Sequence, residues 1–198
     1  MKVIGITGGI GSGKSTVSNI IKNNNFPLID CDEISRELTQ NDDAVLSEIR
    51  RCFGASVFDD NGNLLRQELA NIVFSDSSKK KILEDIVVTR IFEIVRDDLS
   101  KHRSLGTKLV FIDAPLLIET GLNRLCDICV LVTADIETRI NRVEKRDGIN
   151  RDRVLERINN QMPESEKKAV ADELIDNSGS IEYLNNSVER LINKYVEY

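Results

Sequence analysis

The 198-residue chain has no tryptophan, a single histidine and only 5% aromatic residues. Its core must therefore be built from isoleucine, leucine and valine. One histidine argues against a Ser-His-Asp hydrolase and against a metal centre held by several imidazoles. That residue, His102, lies in the polar stretch Ser100-Lys101-His102-Arg103-Ser104, read as a surface loop between two elements. No apolar run approaches the roughly 18 residues of a membrane span. The N-terminus lacks a signal-peptide pattern, since Lys2 leads only a few apolar residues into a glycine loop. The net charge is −6, so there is no overall basic field of the kind that recruits DNA, RNA or an anionic membrane. Neither is expected as a partner, and a cytoplasmic location is. Four cysteines make no disulfide framework in a chain this long. Cys126-x-x-Cys129 has the spelling of a redox or zinc motif. It is a lone pair at the start of an apolar run, and the expectation is buried, structural thiols.

What is present begins near the N-terminus. Gly8-Gly9-Ile10-Gly11-Ser12-Gly13-Lys14-Ser15-Thr16 fits G-x-x-x-x-G-K-[S/T], the phosphate-cradling loop of P-loop NTPases. The apolar run Val3-Ile4-Gly5-Ile6 before it reads as a buried strand, and Val17, Ile20 and Ile21 after it share one helix face. Strand, loop and helix are the context this motif requires. Glycines let backbone N–H groups approach phosphate oxygens, and the following helix adds unpaired amides and a positive dipole end. Gly11, Ser12, Gly13, Lys14, Ser15 and Thr16 are thus the expected nucleotide-binding set. Lys14 is expected to reach the β- and γ-phosphates of ATP and the Ser15 hydroxyl to ligate Mg2+.

The rest of the chain alternates as an α/β protein: a P-loop NTPase core with a parallel sheet in three layers, interrupted by a helical insertion and a helical lid. Residues 33–105 interrupt the alternation as a mostly helical insertion. Leu28-Ile29 is a short second strand ending at Asp30-Cys31-Asp32. Ligand-binding residues gather at carboxyl ends of strands in open α/β sheets, so Asp32 is a functional candidate and Asp30 a weaker one. Either could instead cap the helix beginning near Glu33. Within the insertion, two helices meet at Asn41-Asp42-Asp43, Asp59-Asp60-Asn61-Gly62 is a turn, and apolar residues from Leu69 to Leu99 continue at helical spacing. Such an insertion suits closure over an acceptor substrate, although a purely structural scaffold would read the same.

Leu109-Val110-Phe111-Ile112-Asp113 is a buried strand ending in an acid, and Asp113 is a candidate for Mg2+, directly or through water. Ile128–Val132 is the next strand. Asp135 begins a helix on which Arg139, Arg142 and Arg146 recur at spacings of three and four. With Lys145, Arg151, Arg153 and Arg157 interleaved among acids, this is either a solvated, ion-paired helix or an arginine-bearing lid that neutralises a migrating phosphoryl group. The phosphate loop favours the lid. Glu173–Asp176 is a last strand, and Ser180 can cap a final helix whose Ile181, Leu184, Val188, Leu191, Ile192 and Tyr195 face inward.

Residues alone reach a P-loop phosphotransferase. Thr7–Thr16, Ile29-Asp30-Cys31-Asp32-Glu33-Ile34, Asp113-Ala114-Pro115-Leu116-Leu117-Ile118-Glu119, Arg142 to Asp147, Gln161-Met162-Pro163 and Ile175-Asp176-Asn177-Ser178-Gly179 together resemble the dephospho-CoA kinases, in family order over nearly the whole chain. The resemblance implies transfer of the ATP γ-phosphoryl to the ribose 3′-hydroxyl of dephospho-CoA, with Asp32 orienting or deprotonating that hydroxyl. It implies a nucleotide core of residues 1–30, 106–133 and 171–198, a CoA-binding helical domain over 31–105 and a lid over 134–170, and makes Arg139 and Arg142 phosphate contacts that would serve catalysis beside Lys14. The chain departs from the family pattern at Val88-Thr89, where a His-Pro pair is common, and at Cys31, where a small alanine is usual. Other small-molecule kinases share the loop and lid. A switch GTPase would need N-K-x-D, whereas Asn193-Lys194 is followed by Tyr195-Val196. The sequence leaves the oligomeric state open.

Overall fold

A computed structural model describes residues 1–196. The chain separates into two compact units, Met1–Asp30 with the chain from Leu99 onward, and Cys31–Asp98.

The first unit holds a parallel sheet of five strands, β1 (Lys2–Gly8), β2 (Leu28–Asp30), β3 (Leu109–Asp113), β4 (Ile128–Thr133) and β5 (Glu173–Asp176), in the order β2-β3-β1-β4-β5. Central β1 and β3 are buried along almost their whole length, as their unbroken apolar runs require of strands covered on both faces. Alternate residues of β1, β3 and β4, Ile4, Ile6, Leu109, Phe111, Val130 and Val132, meet α1 (Lys14–Asn23) and the C-terminal helix α9 (Ile181–Val196) in one apolar cluster. Ser180 caps α9 by accepting from the Tyr183 N–H at 3.2 Å. Leu184, Val188, Leu191, Ile192 and Tyr195 are buried as expected, but Ile181 is 60% exposed. It stands in the first turn of α9, at the end of the apolar stripe, and misses the sheet.

Between β4 and β5 lie α6 (Ile136–Asp147), α7 (Arg151–Asn159) and α8 (Glu164–Val170). Asp135 caps α6 through the Thr138 N–H, and Asn150 caps α7 through the Arg153 N–H, each replacing a helix-end hydrogen bond the backbone cannot make itself. Ile140, Val143 and Val154 form a small separate core between α6 and α7. Cys129 is buried in β4, and all four cysteines are free. Burial pushes the Cys129 thiol up to about 11, with Asp172 adding to the effect and Lys167 opposing it.

The second unit is helical: α2 (Cys31–Asn41), α3 (Asp43–Phe53), α4 (Arg66–Ser75) and most of α5 (Ser77–Ser104). Asp42 ends one helix and starts the next, accepting from the Val45 N–H at 2.9 Å and pairing with Arg90 at 3.0 Å. Leu38, Val45, Ile49, Phe53, Val57, Phe58 and Leu69 make its core. The Asp59–Gly62 turn closes by a Gly62 N–H to Asp59 carbonyl bond of 3.0 Å, and the Asp59 carboxylate accepts from the Asn61 and Asn63 amides. The departure at Val88-Thr89 falls inside α5, with Val88 half-buried and Thr89 exposed. His102 corrects the reading of a loop. It belongs to the last turns of α5, is partly buried, and its Nδ1 lies 3.2 Å from Thr107 Oγ1. The polar run that looked like a loop is the solvated end of a long helix, where basic residues favour the negative dipole end. No helix among the described residues is long and apolar enough to cross a membrane.

Candidate active site

Parallel strands bring their carboxyl ends to one edge of the sheet, and the candidate groups of the first unit collect there. The register pairs Ile6 with Asp113, Gly8 with Val132, and Thr133 with Asp176. Asp30 pairs with Asp113 in the same row, and its carboxylate lies 3.7 Å from Lys22.

The phosphate loop leaves β1 and enters α1 through Gly13, whose φ of 88° lies in the left-handed region, as does the 78° of Gly11. A side chain is strained at either position. Space forbids one too: a Cβ on Gly11 would stand 2.6 Å from the Arg139 carbonyl oxygen, and one on Gly13 would run into the Asn177 amide. Among the described residues, the N–H groups of Gly11, Gly13, Lys14 and Ser15 donate to no partner. Four free amides converging at a helix N-terminus form an anion cradle.

Why those amides remain free is visible from behind the loop. Its carbonyls are taken up by side chains from later in the chain. Arg139 Nε donates to the Ile10 carbonyl at 2.9 Å and Asn177 Nδ2 to the Ser12 carbonyl at 2.8 Å. Arg142 makes longer contacts of 3.4 Å to the Gly11 and Ser12 carbonyls and donates to the Asn177 carbonyl at 2.8 Å. Gln161 Oε1 accepts the Ile10 N–H at 2.8 Å. Arg139 is only 6% exposed. Burial pushes its guanidinium below the usual range, with Glu164, 3.3 Å away, pulling the other way.

The other basic residues of α6 and α7 sort differently. Arg151 pairs with Glu137, and Arg146 and Arg157 pair with Asp147. Arg146, read as sharing the face of Arg139 and Arg142, thus faces solvent with its neighbour's carboxylate. Arg146, Arg151 and Arg157 fit the ion-paired reading, while Arg139 and Arg142 turn to the carbonyls of the loop.

At the floor of the loop Lys14 forms an ion pair with Asp113. Asp113 is 4% exposed, and its second oxygen accepts from Ser18 Oγ at 2.5 Å. Each carboxylate oxygen therefore already has a donor. Ser15 is exposed and Thr16 half-buried. Among the described residues no cluster of three or more His, Cys, Asp or Glu side chains could hold a metal. The donors that Ser15 and Asp113 offer are hard oxygens, which fit Mg2+, an ion that keeps several waters and takes substrate phosphates as ligands instead of an all-protein cage.

Beyond Asp113, the buried Lys167 of α8 pairs with Glu119 at 2.6 Å and donates to the Pro115 carbonyl at 3.3 Å, which also accepts from Thr7 Oγ1 at 3.0 Å. This network stiffens the segment that follows Asp113. Sequence reasoning assigned no role to Gln161, Asn177, Ser18 or Lys167. For Gln161 and Asn177 the signal was there, inside quoted motifs. Ser18 and Lys167 carried none, being a helical serine and one lysine of a charged run.

Asp32 belongs to the second unit, exposed in the first turn of α2, with Glu33 beside it and the buried Cys31 before it. The helix starts at Cys31, two residues before Glu33, which puts Asp30 at the position ahead of its first residue and Asp32 inside its first turn.

A parallel sheet with the phosphate loop after its first strand, an acid at the end of β3 and basic helices before the last strand define a P-loop kinase. Residues 2–183 match the family model for dephospho-CoA kinase. The dephospho-CoA kinase of Corynebacterium glutamicum is 36% identical over 192 residues, covering 97% of this chain and 98% of that one. A solved structure from Thermus thermophilus has a TM-score of 0.82 at 36% identity, covering 98% of this chain and 97% of the other. The dephospho-CoA kinase of Campylobacter jejuni shares the fold, with a TM-score of 0.76 at 23% identity over 100% of this chain and 98% of that one. The chain belongs to the dephospho-CoA kinase family, phosphotransferases with an alcohol group as acceptor that use ATP and catalyse the final step of coenzyme A synthesis.

Proposed function

We propose that the transferred group is the ATP γ-phosphoryl and the acceptor the ribose 3′-hydroxyl of dephospho-CoA. The free amides of Gly11, Gly13, Lys14 and Ser15 carry the reading, since they sit at the start of α1 and nothing among the described residues uses them. In this scheme Gly11 to Thr16 cradle the β- and γ-phosphates, and Lys14 exchanges Asp113 for phosphate oxygens as ATP enters. Ser15 would hold Mg2+, which would supply positive charge against the phosphates. Asp113, whose oxygens are already engaged by Lys14 and Ser18, would act through water.

Asp32 orients the 3′-hydroxyl. As the new oxygen–phosphorus bond forms and the bond to the leaving ADP breaks, the hydroxyl proton passes to the Asp32 carboxylate and later to water. The transition state is loose, so an aspartate of ordinary basicity can accept that proton late. Arg139 and Arg142 bring positive charge to the loop, where the transferred group carries negative charge. The division of labour follows: residues 1–30, 106–133 and 171–198 bind nucleotide, 31–105 hold the CoA substrate, and 134–170 form the lid.

The test is ADP release with Mg·ATP and dephospho-CoA, with mass detection of product and with adenosine, AMP and shikimate as parallel acceptors. A gain of one phosphoryl group on dephospho-CoA alone is expected. Turnover on another acceptor with none on dephospho-CoA would overturn the assignment of substrate.

A further inference from the structure

Ile10 sits at the tip of the phosphate loop, and everything it offers is taken by the 134–170 segment. Its side chain packs against the small core of Ile140, Val143 and Val154 between α6 and α7, beside Ile158. Its carbonyl accepts from Arg139 Nε, and its N–H donates to Gln161 Oε1. Arg139 is in turn held by Glu164, at the start of α8. A Cβ added to neighbouring Gly9 would meet the Arg139 guanidinium at 2.5 Å and Gln161 Oε1 at 3.3 Å, so both side chains press on the same two peptide units.

We infer that Gln161 is a positioning residue for nucleotide binding: by holding the Ile10 N–H it fixes the Gly9–Ile10 peptide, and with it the approach of the next peptide, which carries the Gly11 amide and whose carbonyl Arg139 holds. The physical reason is that a glycine-rich loop has no side-chain packing of its own to select one backbone conformation. Selection must come from outside, and a hydrogen bond on the peptide unit at each side of Ile10, with its apolar side chain anchored between them, suppresses rotation of both units. Gln161 is half-buried in the turn after α7, so its backbone is placed by the α6–α7 pair and not by the loop it holds. Glutamine suits the position because its side-chain carbonyl oxygen reaches and accepts the Ile10 N–H. The inference rests on the reading that ATP phosphates bind this loop.

Two variants separate the role from mere stability. Gln161→Met keeps length and volume but removes the acceptor; Gln161→Glu keeps an acceptor. Amide exchange at Ile10, resolved by NMR, is measured beside steady-state kinetics with ATP and dephospho-CoA. For Gln161→Met we expect the Ile10 amide to exchange at least about tenfold faster while Val130 in the sheet is unchanged. The KM for ATP should rise about fivefold, the change a single hydrogen bond of ordinary strength supplies. The KM for dephospho-CoA and kcat should stay within about twofold. Gln161→Glu should stay within about threefold of the parent in every reading. Unchanged Ile10 exchange in Gln161→Met, unchanged KM for ATP despite faster exchange, or a Gln161→Glu variant as impaired as Gln161→Met would each overturn the inference. Absence of ATP binding by the parent protein would count against the phosphate-loop reading itself.

Discussion

The sharpest consequence of the loop geometry concerns Gly11. Replacing it with alanine meets two separate obstacles. At φ 78° an L-residue costs about 1–2 kcal/mol. The new methyl would also stand 2.6 Å from the Arg139 carbonyl oxygen and 3.0 Å from its Cα. Both atoms belong to the backbone of α6 and cannot swing aside, so overpacking adds about 1–3 kcal/mol. The sum, about 2–5 kcal/mol, lies below the roughly 5–15 kcal/mol that holds a domain together. Gly11→Ala should therefore fold, with the strain released by moving the loop off α6. Gly148→Ala is the control. Gly148 ends α6 at φ 66°, and a Cβ there meets nothing within 4 Å. It bears the conformational cost alone. At about 2–4 °C per kcal/mol for a chain of this size, Gly148→Ala should lower Tm by about 2–8 °C and Gly11→Ala by about 4–20 °C, the Gly11 variant always falling further. Calorimetric titration with Mg·ADP should show affinity weakened at least about tenfold for Gly11→Ala and unaltered for Gly148→Ala, because only the first moves amides that face phosphate. Equal losses of Tm in the two variants, or parent-like ADP affinity in Gly11→Ala, would refute the argument that α6 sets the loop from behind.

Three further outcomes follow from other parts of the molecule. Asp32→Asn should lower kcat far more than it weakens ATP binding, since the role proposed for Asp32 is on the acceptor; equal loss of both in steady-state kinetics would sink that role. Lys14→Ala should abolish transfer while circular dichroism and cooperative melting persist, the Asp113 carboxylate keeping its bond from Ser18; normal turnover by the folded variant would remove Lys14 from the reaction. Glu173 supplies a pH test. Hydrogen bonds from Lys194 and Tyr195 hold its carboxyl below the ordinary value of 4.5. A depressed carboxyl contributes stability that is present above pH 4.5 and is lost as pH falls through the folded-state value. Between pH 6 and 3 the parent should therefore lose more Tm than Glu173→Gln does, an effect kept small by the exposure of Lys194. Parallel curves for the two proteins would show that the pair contributes nothing.

How far the sequence reached differs between elements. The phosphate loop was readable because its chemistry is local: the glycines, the lysine and the flanking strand and helix are contiguous, and a few residues specify the backbone that binds phosphate. The strands were readable because residues buried on both faces leave an unbroken apolar run. Asp113 was found because the end of such a strand marks the sheet edge where ligands collect. His102 and Ile181 were misplaced for one shared reason: an element's end has no periodicity beyond it to say whether the helix continues or which way its last side chain faces. Only the tertiary structure decided what happens behind the loop. Arg139, Arg142 and Arg146 look alike on one helix. Packing turns Arg139 and Arg142 to the carbonyls of Ile10, Gly11 and Ser12, and leaves Arg146 to Asp147. Gln161 and Asn177 reach the same loop across 151 and 165 residues of chain. No spacing rule encodes such contacts, because they depend on where β4 and β5 set down the helices between them. The sequence by itself determined that the loop has the pattern of a phosphate cradle. The fold determined which distant side chains hold it in the shape that can bind.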